Sequence, residues 1–145
     1  MRVQIGLLVA IGLLACVGCG PSYPIVEASG TIMLDGKPLG NATILTQPIG
    51  NEDKTTPGPG SGAMTDADGR FVLAFQHEDR VGAVPGEVRV KIVKNGEQKV
   101  SSDDTVTVVK SKIPWEYQEG KATYTIPAEG TTAMDFNLET KRKRR

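Results

Sequence analysis

Two cysteines near the N-terminus are the residues of this chain with the most specific chemistry. Cys16 and Cys19 follow an apolar run of twelve residues, 3–14, which is preceded by the cation Arg2. A membrane-spanning helix needs about 20 residues, so this run is too short to span and is typical of an export signal. Both cysteines of the chain lie here, which leaves the remaining residues without a thiol or an internal disulfide.

The residues around these cysteines resemble the bacterial lipobox, in which the Cys is acylated and becomes the new N-terminus. Cys16 fits well, with Leu13 at minus three and Ala15 at minus one, whereas Cys19 fits less well although Gly and Pro follow it. We predict a signal peptide over residues 1–15 with palmitate-type acylation of Cys16, or alternatively over 1–18 with Cys19, and then a tether over 16–25. A plain secretory signal or an uncleaved anchor stays open.

Trp115 and Tyr117, in the sequence IPWEYQEG, form the local aromatic cluster of the chain. Aromatic side chains at the edge of a β-sheet can stack on sugar rings, and period-two alternation would place both rings on one face. They are therefore candidate carbohydrate-binding residues. The alternative is that this face packs on the core or closes one end of the domain.

Metal and cofactor chemistry has little support. Asp66 and Asp68 match a fragment of a calcium loop, but Glu78 stands one place beyond the twelfth position, so an Asx turn is the competing interpretation. His77 is the single histidine, and zinc or iron sites require several imidazoles or thiols. We predict no cofactor.

Carboxylate pairs are the remaining catalytic candidates. Asp103–Asp104 and Glu78–Asp79 are neighbouring acids that could serve a hydrolase if they faced a cleft. Adjacent acids in loops are usually solvated, so we keep this function only as the less favoured alternative to a protein that is not an enzyme.

The formal charge of zero conceals a basic tail and an acidic body. Without Arg2 and the last five residues, 11 basic residues face 17 acidic ones. The tail consists of five adjacent cations, Lys141, Arg142, Lys143, Arg144 and Arg145. Such a run can bind anionic lipid or another polyanion, or can remain solvated.

The elements that must position these residues are strands. Alternating apolar residues predict strands at 31–34, 42–47, 63–65, 71–75, 87–94, 105–109, 122–126 and 134–138, and no segment after the signal has a sustained helical period. Turns are predicted at Asp35–Gly36, Asp66–Gly69, Pro85–Gly86 and Asn95–Gly96. Segment 50–62 lacks apolar residues and predicts a long mobile connection.

Each predicted strand has one apolar face, and no helix is predicted that could cover it, so the strands must bury these faces against each other. This predicts an all-β fold: a single β-sandwich of seven to eight strands over residues 26–140. Three motifs occur in order along this region, GTIMLDGKPL from Gly30, TDADGRF from Thr65 and GAVPGEVRV from Gly82. Together they resemble the carboxypeptidase-regulatory-like, or transthyretin-like, domain of small exported lipoproteins of planctomycete-type bacteria. The resemblance implies a prealbumin-like (Ig-like) sandwich and no established reaction or ligand.

The sequence as a whole predicts a lipoprotein of the bacterial cell envelope. It would be held at the periplasmic or outer-membrane face by its N-terminal lipid, and would serve as a binding or structural module for a protein or glycan partner. The loops 50–62 and 101–104 are the expected display sites, and carbohydrate binding through Trp115 and Tyr117 is the main alternative.

Overall fold

The computed structural model describes residues 23–50, 57–76, 80–94, 98–100, 106–108 and 111–140. Within these residues the chain forms twelve strands and one short helix. The first six strands are β1 Ser29–Leu34, β2 Lys37–Pro38, β3 Thr43–Pro48, β4 Ser61–Met64, β5 Arg70–Val72 and β6 Ala74–Phe75. The others are β7 Arg80–Val81, β8 Gly86–Val93, β9 Gln98–Val100, β10 Val106–Val108, β11 Ala122–Ile126 and β12 Phe136–Leu138, and the helix α1 is Trp115–Gln118.

The larger sheet has six strands in the order β11-β8-β3-β4-β6-β7. Its longest strand, β8, lies next to the edge strand β11 and alternates strictly, because Val88, Val90 and Ile92 are buried while Arg89 and Lys91 are exposed. Each buried side chain lies opposite another inward position in β3 or β11, so one face of the sheet is apolar and the other meets solvent.

The smaller sheet is built on β1. Strand β12 pairs with it in parallel, β2 pairs with it through a two-residue hairpin at Asp35–Gly36, and β5 pairs with its first half. Both turn residues have positive φ, 51° and 76°, as the favoured two-residue hairpin turn requires. Strands β9 and β10 form a separate antiparallel pair.

One continuous stretch, 70–75, joins the two sheets at an edge. Its first half pairs with β1 and its second half with β4, while Phe71, Leu73 and Phe75 all remain buried. Leu73 sits at the changeover, where its N–H donates to Ala28 and its carbonyl accepts from Gly82. The fold is therefore all-β, with two sheets around a single core and almost no helix.

Most of the predicted strands and turns are confirmed within the described residues. The apolar faces at Phe71, Leu73 and Phe75 and at Met134, Phe136 and Leu138 are buried, and Gly86 begins the long strand β8. The predicted connection 50–62 is too long, because β4 already begins at Ser61. Residues 51–56 and the turn at Asn95–Gly96 lie outside the described residues.

Several short strands were not predicted. β2, β7 and β9 are two or three residues long, too short to show alternation, and they raise the number of described strands above seven to eight. The long strand predicted at 71–75 is also divided, because it changes sheets at Leu73.

Candidate functional site

The aromatic pair of the sequence lies on the short helix α1. Pro114 occupies the N-cap with φ −56° and ψ 139°. Its ring fixes φ in a range that suits a helix start, and the helix begins at the next residue, Trp115. Residues two apart on a helix point about 200° apart, so the prediction that alternation places Trp115 and Tyr117 on one face is wrong. The turn chemistry of Pro114 overrides the short alternating pattern.

Tyr117 belongs to the packing of the domain. Its ring meets the edge of Phe136 at a centroid distance of 6.0 Å and an interplanar angle of 79°. Phe71 and Tyr124 contact the same Phe136 ring at 6.4 and 5.7 Å. Such aromatic contacts stabilise by about 0.5 to 1.5 kcal/mol each beyond the area they bury. Tyr117 thus fixes α1 to the core.

Trp115, in contrast, presents its ring to solvent. Its side chain is 50% exposed, and the ammonium of Lys121 lies 4.7 Å from the ring centroid. A cation over an exposed indole contributes about 0.5 to 1 kcal/mol and holds the ring orientation. No periodic signal in the sequence predicts this contact, because Lys121 lies just outside the helix.

Further cations lie on the same side of the larger sheet. Arg89 and Lys91 point outward from β8, and Arg89 is paired with Thr123 of β11. Gly120, next to Lys121, lies against the Lys91 side chain. The exposed indole thus has Lys121 over its ring, and Lys91 and Arg89 follow on the neighbouring strand β8. We call this group the Trp115 edge: Trp115, Lys121, Lys91 and Arg89.

Asp66 and Asp68 build a turn. One carboxylate oxygen of Asp66 accepts from the backbone N–H groups of Asp68 and Arg70, at 2.9 and 2.8 Å, which is Asx-turn geometry. Asp68 lies 3.9 Å from the guanidinium of Arg70, and both side chains are largely exposed. Within the described residues no three His, Cys, Asp or Glu side chains gather as metal ligands.

A carboxylate that was not singled out from the sequence has a clearer role. Asp35 accepts from the backbone N–H and the hydroxyl of Thr140, at 2.8 and 2.7 Å. The pKa of Asp35 is held below its ordinary value chiefly by the hydrogen bond from the Thr140 hydroxyl. The hydrogen bond from the Thr140 backbone and the charge of Lys112 lower the pKa further. The contact fixes the position from which the basic tail begins.

The other candidates lie outside the described residues. These are Cys16, Cys19, His77, the acid pairs Glu78–Asp79 and Asp103–Asp104, and the basic tail 141–145. Within the part of the chain that the structure describes, no helix is both long and apolar enough to cross a membrane.

Comparisons with known proteins do not place the chain in a family. No family model matches the chain, and no curated protein matches it. Among solved structures, a 9R-lipoxygenase from Cyanothece PCC8801 aligns with a TM-score of 0.35 and 14% identity, covering 80% of this chain. The alignment covers 16% of the lipoxygenase, and a likeness this weak carries no argument about fold or function.

Proposed function

We propose that this protein is an exported, lipid-anchored β-sandwich of the bacterial cell envelope that acts as a binding module without catalysis. The observation that carries the proposal is the placement of the lipobox-like Cys16 immediately before a domain that needs no cysteine for its core. Backbone pairing of the domain starts at Val26, which bridges Ala83, so the lipid-bearing residue and the folded body are separated by a short tether.

The finer classification of the sandwich is part of this proposal. Two sheets around one core, with β1 at the centre of the smaller sheet and the long strand β8 between β11 and β3 in the larger, support a prealbumin-like arrangement. The ordered motifs around Asp35–Gly36, Asp66–Gly69 and Pro85–Gly86 support it as well, since each lies at a turn of the domain.

The anchor is tested by separating membranes from soluble extract after metabolic labelling with palmitate. Cys16→Ser should abolish the label and move the protein to the soluble or precursor fraction. The matched control is Cys19→Ser, which should remain labelled and membrane-bound. Unlabelled wild-type protein in the soluble fraction would contradict the proposal, and loss of label from the Cys19 variant alone would assign the anchor to Cys19.

The Trp115 edge supports a second candidate function, recognition of an acidic carbohydrate. An exposed indole offers a stacking surface for a sugar ring, and Lys91 and Lys121 provide charge for a carboxylate or sulfate on it. The packing of Tyr117 against Phe136 leaves Trp115 as the principal contact of this candidate site.

A glycan array with neutral and acidic sugars tests this recognition. Trp115→Ala should weaken binding to acidic glycans about tenfold, equivalent to about 1.4 kcal/mol. Thr123→Ala, an exposed change on the same edge, serves as the control and should bind normally. An array without hits, or hits unaffected by Trp115→Ala, would reject carbohydrate binding and leave a protein partner as the ligand.

The basic tail adds a polyanion contact to the proposal. Five adjacent cations attract anionic lipid or nucleic acid through counterion release, with little demand on their conformation. Thr140 supports this contact, because its hydrogen bonds to Asp35 hold the start of the tail at a defined point of the domain surface.

A further inference from the structure

Three large apolar side chains are exposed on strands β4, β5 and β7, around the stretch 70–75 where the two sheets meet. Met64 is 67% exposed, Val81 is 66% exposed and Val72 is 53% exposed. Ala74 pairs directly with Val81, and it also pairs with Gly62, two residues before Met64 in β4. Because directly opposed residues and residues two apart share a face, Met64, Ala74 and Val81 point the same way, and Val72, two residues before Ala74, points outward from β5 beside them.

These residues form one continuous surface, which we call the outer apolar patch: Leu45, Met64, Val72, Ala74 and Val81. Leu45 lies opposite Gly62 and its side chain covers that glycine, which joins the middle of the sheet to the edge. The core lies on the opposite side of the same strands, where Phe71, Leu73 and Phe75 are buried. The patch therefore takes no part in the packing between the two sheets.

The outer apolar patch borders the point where the N-terminal segment joins the domain. Val72 pairs with Ser29, the first residue of β1. Val81 is two residues before Ala83, which exchanges backbone hydrogen bonds of 3.0 and 2.9 Å with Val26. Residues 26–29 thus run beside the patch before the chain enters the core.

The length of the preceding chain keeps this region close to the proposed anchor. An extended chain reaches at most about 3.5 Å per residue, so Cys16 lies within about 25 Å of Tyr23 and Cys19 within about 14 Å. Tyr23 itself lies against Gly58, at the beginning of the segment that enters β4. A lipid on either cysteine would hold the β4–β7 side of the sheet near the bilayer surface.

We propose that the outer apolar patch rests on the bilayer in which the N-terminal lipid is embedded. The proposal depends on the lipid anchor of the proposed function and adds the orientation of the domain. Exposed valine and methionine side chains enter the interfacial region of the bilayer.

This orientation directs the outer face of the smaller sheet away from the membrane. Asn137 of β12 is exposed between the buried Phe136 and Leu138, so it points away from the core, which lies between the two sheets. The Trp115 edge lies at the far border of the same face as the patch, because five steps of about 4.8 Å separate β7 from β11 by about 24 Å.

Tryptophan reporters in the full-length acylated protein test the contact. Trp115→Phe removes the single native Trp, and Val81→Trp or Asn137→Trp then places a reporter on the outer apolar patch or on the outer face of the smaller sheet. The proteins are reconstituted in phosphatidylcholine–phosphatidylglycerol vesicles with normal or brominated acyl chains. A side chain roughly 5 to 10 Å into the headgroup boundary should lose about half of its fluorescence to bromine, so Val81→Trp is quenched and Asn137→Trp is not. Met64→Trp is the second patch reporter and should behave as Val81→Trp does.

The outcomes separate this proposal from the anchor on which it rests. Flotation with the vesicles but equal quenching of the Val81 and Asn137 reporters overturns the orientation and leaves the anchor intact. A blue shift of the patch reporters without bromine quenching shows that a second copy of the chain covers the patch, which also overturns the proposal. Failure of the wild-type protein to float overturns the anchor and the orientation together.

Discussion

At the residue scale, Thr65 shows how this domain holds a polar group in its interior. The residue is 2% exposed, and its hydroxyl donates to the carbonyl of Leu39 at 2.6 Å and accepts from the N–H of Ala42 at 2.9 Å. The hydroxyl thereby ties the β2–β3 connection to the end of β4, and its removal would leave two buried backbone groups without this partner.

Thr65→Val should lower the free energy of unfolding by about 1 to 3 kcal/mol, because valine keeps the volume but cannot form either hydrogen bond. Urea denaturation followed by circular dichroism measures the change. Thr123→Val, at an exposed strand position, is the matched control and should stay within about 0.5 kcal/mol of wild type. An equal effect of both substitutions would contradict the role of the Thr65 hydroxyl.

Asp35 provides a pH-dependent contact at the same scale. Its folded-state pKa is lower than its ordinary value of 3.8, chiefly because the Thr140 hydroxyl donates to it. A group with a lowered pKa contributes stability above its unfolded-state pKa, and this contribution is lost as the pH falls through the folded-state value. The start of the tail should therefore detach from Asp35 in acid.

Thr140→Val should raise the pKa of Asp35 toward its ordinary value, although the backbone N–H of residue 140 keeps part of the shift. Carboxyl-carbon NMR as a function of pH measures it directly. Thr132→Val, in an exposed loop position, should leave the Asp35 titration unchanged. A midpoint that is the same in the Thr140 variant and the wild type would refute the assignment of the cause.

At the element scale, the close approach of β1 to the chain before β12 depends on Gly30. A Cβ at this position would overlap the backbone carbonyl of Met134, which cannot move as a flexible side chain can. Gly36 differs, since a Cβ there meets nothing within 4 Å and only its φ of 76° disfavours other residues.

Gly30→Ala should therefore lower the free energy of unfolding by about 3 kcal/mol or more, because the two strands must separate to accommodate the methyl group. Gly36→Ala should cost about 1 to 2 kcal/mol from backbone conformation alone. Thermal and urea unfolding of the two variants test the order. A Gly36 variant that is less stable than the Gly30 variant would contradict this packing.

The elements also show what sequence can and cannot predict here. Strict alternation in β8 and in 70–75 predicts the inward side chains, since a strand with one buried face has period two. The outward position of Val72 is contained in the same pattern, although its exposure depends on which strands surround it. Helix α1 is not predicted because four residues are too few for a helical period, and the change of sheet at Leu73 is hidden because alternation continues through it.

At the scale of the whole molecule, the N-terminal segment and Thr140 lie at opposite ends of β1. The N-terminal segment enters at Ser29, whereas β12 runs parallel to β1 and brings Thr140 beside Asp35 at the other end. Asp35 is six residues after Ser29, and a rise of about 3.3 Å per residue places these points about 20 Å apart. The tail therefore starts on the side of the domain away from the proposed anchor.

Deleting residues 141–145 should leave membrane association of the acylated protein unchanged and weaken its retention on a DNA column. The dependence of log affinity on log salt should fall by about 0.9 for each DNA phosphate that the tail no longer neutralises. Replacing the five residues with Ser provides a control of equal length and should have the same effect as the deletion. Retention on DNA that is identical with and without the tail would reject the polyanion contact.

The central claim is the lipid anchor, and mass spectrometry of the mature N-terminus tests it most directly. The protein is purified from the membranes of the cells that produce it and digested, and its N-terminal peptide is sequenced. We predict a peptide that begins at Cys16 and carries a diacylglyceryl thioether, while the same modification on Cys19 would keep the anchor and correct its position. An unmodified peptide that begins at Met1 or at any other residue would contradict the claim.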